Sequence, residues 1–145
     1  MSVTTAMTTS FKQELLQGLH DLDGHTLKLA LIKSGESGTF GAASTNFSDI
    51  TGSSDEASGT GYSSGGATLG SVAITTSGTT AFVDFADVSF SNSTISASGA
   101  MIYNTSASNR AIAVISFGGT VASTAGTFTV TMPTADSSNA IIRLA

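Results

Sequence analysis

Apolar residues return along this chain mostly at every second position, in short runs separated by Gly, Ser, Asn and Asp. The first run is the exception. From Ser10 onward, Phe11, Leu15, Leu16 and Leu19 fall at helical spacing, and Gln13 stands three residues after Ser10. At that spacing a hydroxyl and an amide cap each other's backbone N–H groups. Gly18 and Gly24 follow as stop signals. The pattern predicts one short amphipathic helix of about two to three turns. Ahead of it, Met1–Thr9 is small and polar and reads as an N-terminal arm or a disordered tail.

The remaining runs have the two-residue period of strands. In Thr26–Lys33, Leu27, Leu29 and Leu31 share one face, and Lys28, Ala30 and Ile32 the other. Residues 34–66 are rich in Gly, Ser, Thr and Asp, broken by Phe40, Phe47, Ile50 and Tyr62. A structureless loop of that length is uncommon, so a short strand near Phe47–Thr51 or an interaction loop is expected. Further strands are expected at Leu69–Thr75, Thr80–Phe85, Val88–Phe90, Ser98–Tyr103, Ala111–Phe117, Thr127–Met132 and Ala140–Leu144. Short strands with frequent turn residues predict a mainly β fold, an antiparallel β-sandwich or jelly roll with one short N-terminal helix. The single proline, Pro133, closes a predicted strand, where a missing donor costs little. The length of 145 residues fits a single domain, 10–145, behind an arm of residues 1–9. The expected core comprises Leu27, Leu29, Leu31, Phe82, Phe85, Phe90, Met101, Tyr103, Ile112, Val114, Phe117, Phe128, Val130, Ile141 and Leu144.

Composition sharpens this picture. Ser and Thr together make up 46 of 145 residues (24 and 22), while charged residues are only 10%. Thr suits a pleated surface, and scarce Lys and Glu argue against long solvated helices. The net charge is -5, and the five cations, Lys12, Lys28, Lys33, Arg110 and Arg143, are dispersed. A nucleic-acid partner is therefore not expected, because phosphate binding draws on clustered cations. Cysteine is absent, which removes disulfides and thiolate chemistry. Met1–Ser10 has neither a basic nor an apolar targeting region, and no run is long enough for a membrane-spanning helix, so neither a secretory signal nor a membrane partner is expected.

Candidate chemistry is thin. Gly61-Tyr62-Ser63-Ser64-Gly65 matches G-x-S-x-G, but a nucleophile elbow needs a strand before it, a helix after it and a later His, and both His20 and His25 precede Ser63. The segment reads as a turn. His20-Asp21-Leu22-Asp23-Gly24-His25 is the densest group of potential metal ligands, but five-residue spacing across a helix end does not aim both rings at one point, and Ile32 stands where a calcium loop needs Glu. Asp84 and Asp87 are paired carboxylates without a sugar cleft around them, and one of them is a candidate partner for Arg110. The sequons at Asn46, Asn92 and Asn104 carry little weight in so Ser/Thr-rich a chain. No catalytic, cofactor-binding or metal-binding residue is assigned, and no enzymatic activity or cofactor is expected.

Several segments in order carry a family resemblance: Ser10–Leu19 (SFKQELLQGL), Gly59–Gly66 (GTGYSSGG), Asp84–Asp87 (DFAD), Gly99–Asn104 (GAMIYN), Asn109–Phe117 (NRAIAVISF) with Gly118-Gly119, and Ala140–Ala145 (AIIRLA). Together they resemble small virion structural proteins of tailed bacteriophages, and among these the capsid cement or decoration proteins. The resemblance implies a β-sandwich or jelly-roll domain on the capsid surface, a homotrimer, that binds the major capsid protein and ties the outer lattice together. Contacts are then expected from Met1–Leu19 and from residues 34–66. The alternative is a tail- or fibre-associated binding module, an adhesin or carbohydrate binder.

Overall fold

The computed structural model describes Ser2–Ala145; Met1, the first residue of the expected arm, lies outside the described residues. Ten strands, two short α-helices and one 3-10 turn are present among the described residues. In chain order they are β1 (Ser2–Val3), β2 (Ala6–Met7), α1 (Thr9–Leu16), β3 (Leu27–Lys33), β4 (Thr39–Phe40), α2 (Ser48–Gly52), β5 (Ala67–Thr68), β6 (Ala73–Ser77), β7 (Thr80–Asp84), β8 (Val88–Asn104), the 3-10 turn Thr105–Ala107, β9 (Arg110–Val130) and β10 (Ile142–Leu144). The fold is mainly β and, apart from the parallel β1–β4 pair, antiparallel, with a short N-terminal helix as the sequence predicts.

The larger sheet has five strands in the order β2-β9-β8-β3-β5, and a smaller one has the order β10-β7-β6. They face each other across one core, which joins Leu27, Leu29 and Leu31 of β3, Ile102 of β8 and Ile112 of β9 to Val83 of β7 and Ile142 of β10. This is the layering of a β-sandwich. On the opposite face of the large sheet, Ile32, Met101, Ala111 and Val114 form a second cluster with Phe40 and Ile50, and Val3 and Phe47 pack onto it. Thus β3 buries both of its faces, and its Ala30 and Ile32 side is apolar for that reason.

Strands β8 and β9 form the backbone of the molecule, paired from Val88↔Val130 to Asn104↔Arg110. The sequence pattern breaks each of them in two. In the structure, the polar and glycine-containing interruptions are bulges inside continuous strands. The β8–β9 register shifts between Phe90 and Ser93, Ser93 and Ile95, and Ala97 and Gly99, and Asn92, Gly118, Gly119 and Ala125 all have positive φ. A bulge absorbs an extra residue and sharpens strand twist without ending the pairing. The true reversal is at Ser108 and Asn109, both left-handed (φ 56° and 60°).

The helix starts earlier than its capping pattern predicts. Thr8 is the N-cap: its Oγ1 accepts from the N–H of Phe11 at 3.1 Å and donates to the Ala111 carbonyl at 3.2 Å, which ties the cap to β9. Ser10 instead donates to the Ser44 carbonyl at 3.4 Å. At the other end Gly18 takes φ 74°, so that Leu19 N–H reaches the Glu14 carbonyl (3.0 Å) and Gly18 N–H the Leu15 carbonyl (3.1 Å), the paired closure that a left-handed glycine permits. Only Phe11 is fully buried; Leu15 packs partly, Leu16 is 92% exposed and Leu19 is 37% exposed. Three members of the expected core also differ. Phe117 and Ile141 are only partly buried, and Leu144 is half exposed, while Ile142 takes the buried place on β10.

Candidate interaction surface

The two segments expected to make contacts outside the chain are first of all built into it. The arm runs as β1 beside β4 and as β2 beside β9, with Ala6↔Val114 and Met7↔Ala113 in register. Its Val3 sits over Gly99, where a Cβ would come within 2.6 Å of the Val3 side chain, so the missing side chain makes room for the arm.

Residues 34–66 are likewise held in place. The strand expected near Phe47–Thr51 is helix α2. Asp49 Oδ2 accepts from Thr45 N–H (2.7 Å), and Asn46 Oδ1 accepts from Ser48 N–H (3.0 Å), local bonds that curl the backbone away from an extended form. Asp55 is fully buried and accepts from the N–H groups of Ser37 (2.9 Å) and Gly38 (2.8 Å), with Lys33 Nζ at 3.3 Å. Burial pushes its pKa up, but the Ser37 and Gly38 N–H groups, with Ser53 and Lys33, outweigh it and hold the carboxyl well below the usual carboxylate range.

Gly61–Gly65 is a turn with neither a strand before it nor a helix after it. The Glu56 carboxylate accepts from the Tyr62 hydroxyl (2.8 Å), the Ser64 hydroxyl (3.0 Å) and the Gly65 N–H. Tyr62 Oη in turn accepts from Leu31 N–H at 3.0 Å, and Tyr103 Oη donates to the Gly65 carbonyl at 2.6 Å. Tyr103 also stacks on Phe47, with ring centroids 4.4 Å apart. Burial raises the Tyr62 phenol strongly and, with the Glu56 charge, pushes Tyr103 up to about 12.

The histidines overturn an expectation from spacing. Their rings do converge, on one residue that local sequence cannot identify. Asn104 Nδ2 lies 3.0 Å from His20 Nδ1 and 2.9 Å from His25 Nδ1. His20 Nε2 contacts Glu14 Oε1 at 2.9 Å, and Arg110 Nε meets Glu14 Oε2 at 3.2 Å. Arg110 therefore pairs with Glu14, and not with Asp84 or Asp87. Asp87 accepts from Met132 N–H at 2.7 Å, and Asp84 is exposed. Among the described residues no group of three or more His, Asp or Glu side chains is placed to hold a metal ion, and no helix is long and apolar enough to cross a membrane.

What the molecule offers outward is mostly uncharged. Ten of its fifteen charged residues lie between Lys12 and Glu56, and none lies between Ala111 and Ala135. Every residue of β6 is exposed, and none is charged. The inner face of the small sheet also carries exposed apolar side chains. Ile74, Val83 and Ile142 form one cross-strand row and Thr76, Ala81 and Leu144 the next. Ile74 and Leu144 are 49% and 50% exposed, and with Leu15 and Leu22 they line an open groove of about 230 Å³. Neither feature was read from the sequence, although the run of uncharged residues was visible there. No family model, curated protein or solved structure matches the chain.

Proposed function

We propose that this chain is a non-enzymatic structural protein of a bacteriophage virion, a capsid cement or decoration protein that binds the outer capsid lattice through protein contacts and self-associates. Its main partner is the major capsid protein. The observation that carries the reading is the segregation of charge. A two-layer core presents the exposed strand β6 and the largely exposed outer half of β9, with no charged side chain on either. Such a surface packs against another protein without stripping water from charges, and an icosahedral lattice multiplies weak contacts by avidity. The ordered series of segments from Ser10–Leu19 to Ala140–Ala145, which resembles the cement proteins, supports the same reading.

The chemistry of the interior agrees with it. Its strongly held polar groups, Asp55, Glu56, Asn104 and the two tyrosines, are bonded to the chain's own loops and fix their shape. Tyr103 is buried and Tyr62 is bonded to Glu56 and Leu31, so the fold spends inward the aromatic groups that a carbohydrate-binding module would present. Purified chain mixed with capsids assembled from the major capsid protein alone should co-sediment and saturate at a fixed number of copies per capsid subunit. A chain that stays in the supernatant at every salt concentration contradicts the reading.

A further inference from the structure

The outer edge of β9 carries a second, more specific consequence. Along one side β9 is paired with β8 from Arg110 to Val130, interrupted only by bulges. Along its other side the arm covers only the first third of the strand: Thr8 bonds the Ala111 and Ile112 carbonyls, and β2 pairs with Ala113 and Val114; Ser116 N–H then finds Thr5 Oγ1 at 2.9 Å, and the arm turns away. From Gly119 to Val130 no backbone hydrogen bond from any element other than β8 reaches the strand, among the described residues.

Exposed edges of this kind recruit other strands, and proteins ordinarily guard them with Lys, Pro, inward charges or a covering element. Here none of those guards is present: Ala111–Met132 contains no charged residue and no proline. Only bulges interrupt it, at Gly118-Gly119 and at Ala125. They bracket a mostly exposed stretch, Thr120–Thr124, in which Val121, Ala122 and Ser123 pair in unbroken register with Ala97, Ser96 and Ile95. Val121 is 42% exposed on this stretch.

We infer that Thr120–Thr124 is a self-association edge, on which the same segment of a second copy of this chain adds an antiparallel strand. Three observations select a second copy. The lane already accepts a strand of this chain, since β2 occupies its first positions in antiparallel register. The segment is self-complementary: antiparallel pairing about Ala122 sets Thr120 opposite Thr124 and Val121 opposite Ser123, with no like charges facing. Finally, two chains of net charge -5 repel, and this charge-free edge is where they approach at least cost. The contact is two-fold, so it joins chains in pairs and leaves the three-fold contact implied by the family resemblance to other surfaces. It specifies the self-association part of the functional reading above, and it is tested on the isolated chain so that it stands or falls apart from capsid binding.

The natural absence of cysteine makes the test direct. Ala122→Cys should form an intermolecular disulfide on mild oxidation, because symmetric pairing brings the two 122 side chains opposite each other. Thr75→Cys, on the exposed edge strand β6, should form far less. Val121→Lys should shift the sedimenting mass of the chain down by half, with an unchanged circular dichroism spectrum. The inference is overturned if the parent chain sediments as a single chain at all concentrations, if Val121→Lys leaves the sedimenting mass unchanged, or if Thr75→Cys cross-links as readily as Ala122→Cys.

Discussion

The side-chain amide nitrogen of Asn104, at the end of β8, lies 3.0 Å from Nδ1 of His20, beyond the end of α1. Asn104 Oδ1 accepts the backbone N–H of Ser106 at 3.0 Å, which fixes the amide's orientation and turns its NH2 toward the rings. Its second hydrogen then serves His25 Nδ1 at 2.9 Å, and the N–H of Asp21 also approaches that atom, at 3.3 Å. Both Nδ1 atoms are thus acceptors, and each neutral ring carries its hydrogen on Nε2, which on His20 faces Glu14.

Nitrogen-detected NMR of the histidines at alkaline pH should show both rings in the Nε2–H form; an Nδ1–H form of either ring contradicts the network. Asn104 is fully buried, so Asn104→Leu leaves two imidazole acceptors and the Ser106 N–H unpaired. The expected loss is about 1–3 kcal/mol of unfolding free energy, measured by urea denaturation.

Asp55 sets the acid limit of the loop over residues 34–56. Its carboxyl is depressed by the Ser37 and Gly38 N–H groups and Lys33 despite burial. A depressed folded-state pKa gives stability that is present above the unfolded value of about 3.9 and is lost as pH falls below it. Asp55→Asn removes that dependence. The variant should lose about 1.5–3 kcal/mol at neutral pH, the scale of hydrogen bonds to a charged group, and its stability should vary less than the parent's as pH falls below 4. A parallel pH profile in parent and variant would count against this role.

Tyr62 and Tyr103 set the alkaline limit. Both phenols are raised, by burial first and then by the charge of Glu56. Their contribution is complete below the unfolded value of about 10 and is lost as pH rises above it, since the unfolded chain ionises first. Tyr62→Phe removes both the donor to Glu56 and the acceptor for Leu31 N–H, so stability measured against pH should fall less steeply above pH 10 in that variant.

Gly66 tests how closely the 61–66 turn rides on β3. It has φ 81°, and a Cβ there would lie 1.9 Å from the Leu29 carbonyl oxygen. Gly66→Ala should cost about 1–3 kcal/mol through backbone strain alone, and more through the clash. Amide exchange should show residues 61–66 opening before β3 does. Gly70→Ala, where a Cβ meets nothing, is the matched control.

The strand-rich class was legible because Leu27, Leu29 and Leu31 alternate with polar or opposite-face residues, and so was most of the core. The lengths of β8 and β9 were not, because Asn92 and Gly118-Gly119 are chemically the same whether they make a turn or a bulge; only the partner strand decides. Phe47–Thr51 reads as strand by composition, and Asn46 and Asp49 curl it into helix α2 through bonds to their own backbone neighbours. The meeting of His20, His25 and Asn104 depends on residues about eighty positions apart, which no local spacing encodes. The open edge of β9 could be seen as an uncharged run, but its exposure follows from the arm turning away at Thr5.

The central claim, that the chain builds a virion by protein contact, is tested most directly by cryo-electron microscopy of the phage particle, with mass spectrometry to count copies. The account predicts this fold in many copies at regular positions on the outer capsid lattice, with uncharged strands such as β6 and β9 against neighbouring subunits. A few copies confined to the tail, or no copies in the particle, would contradict it.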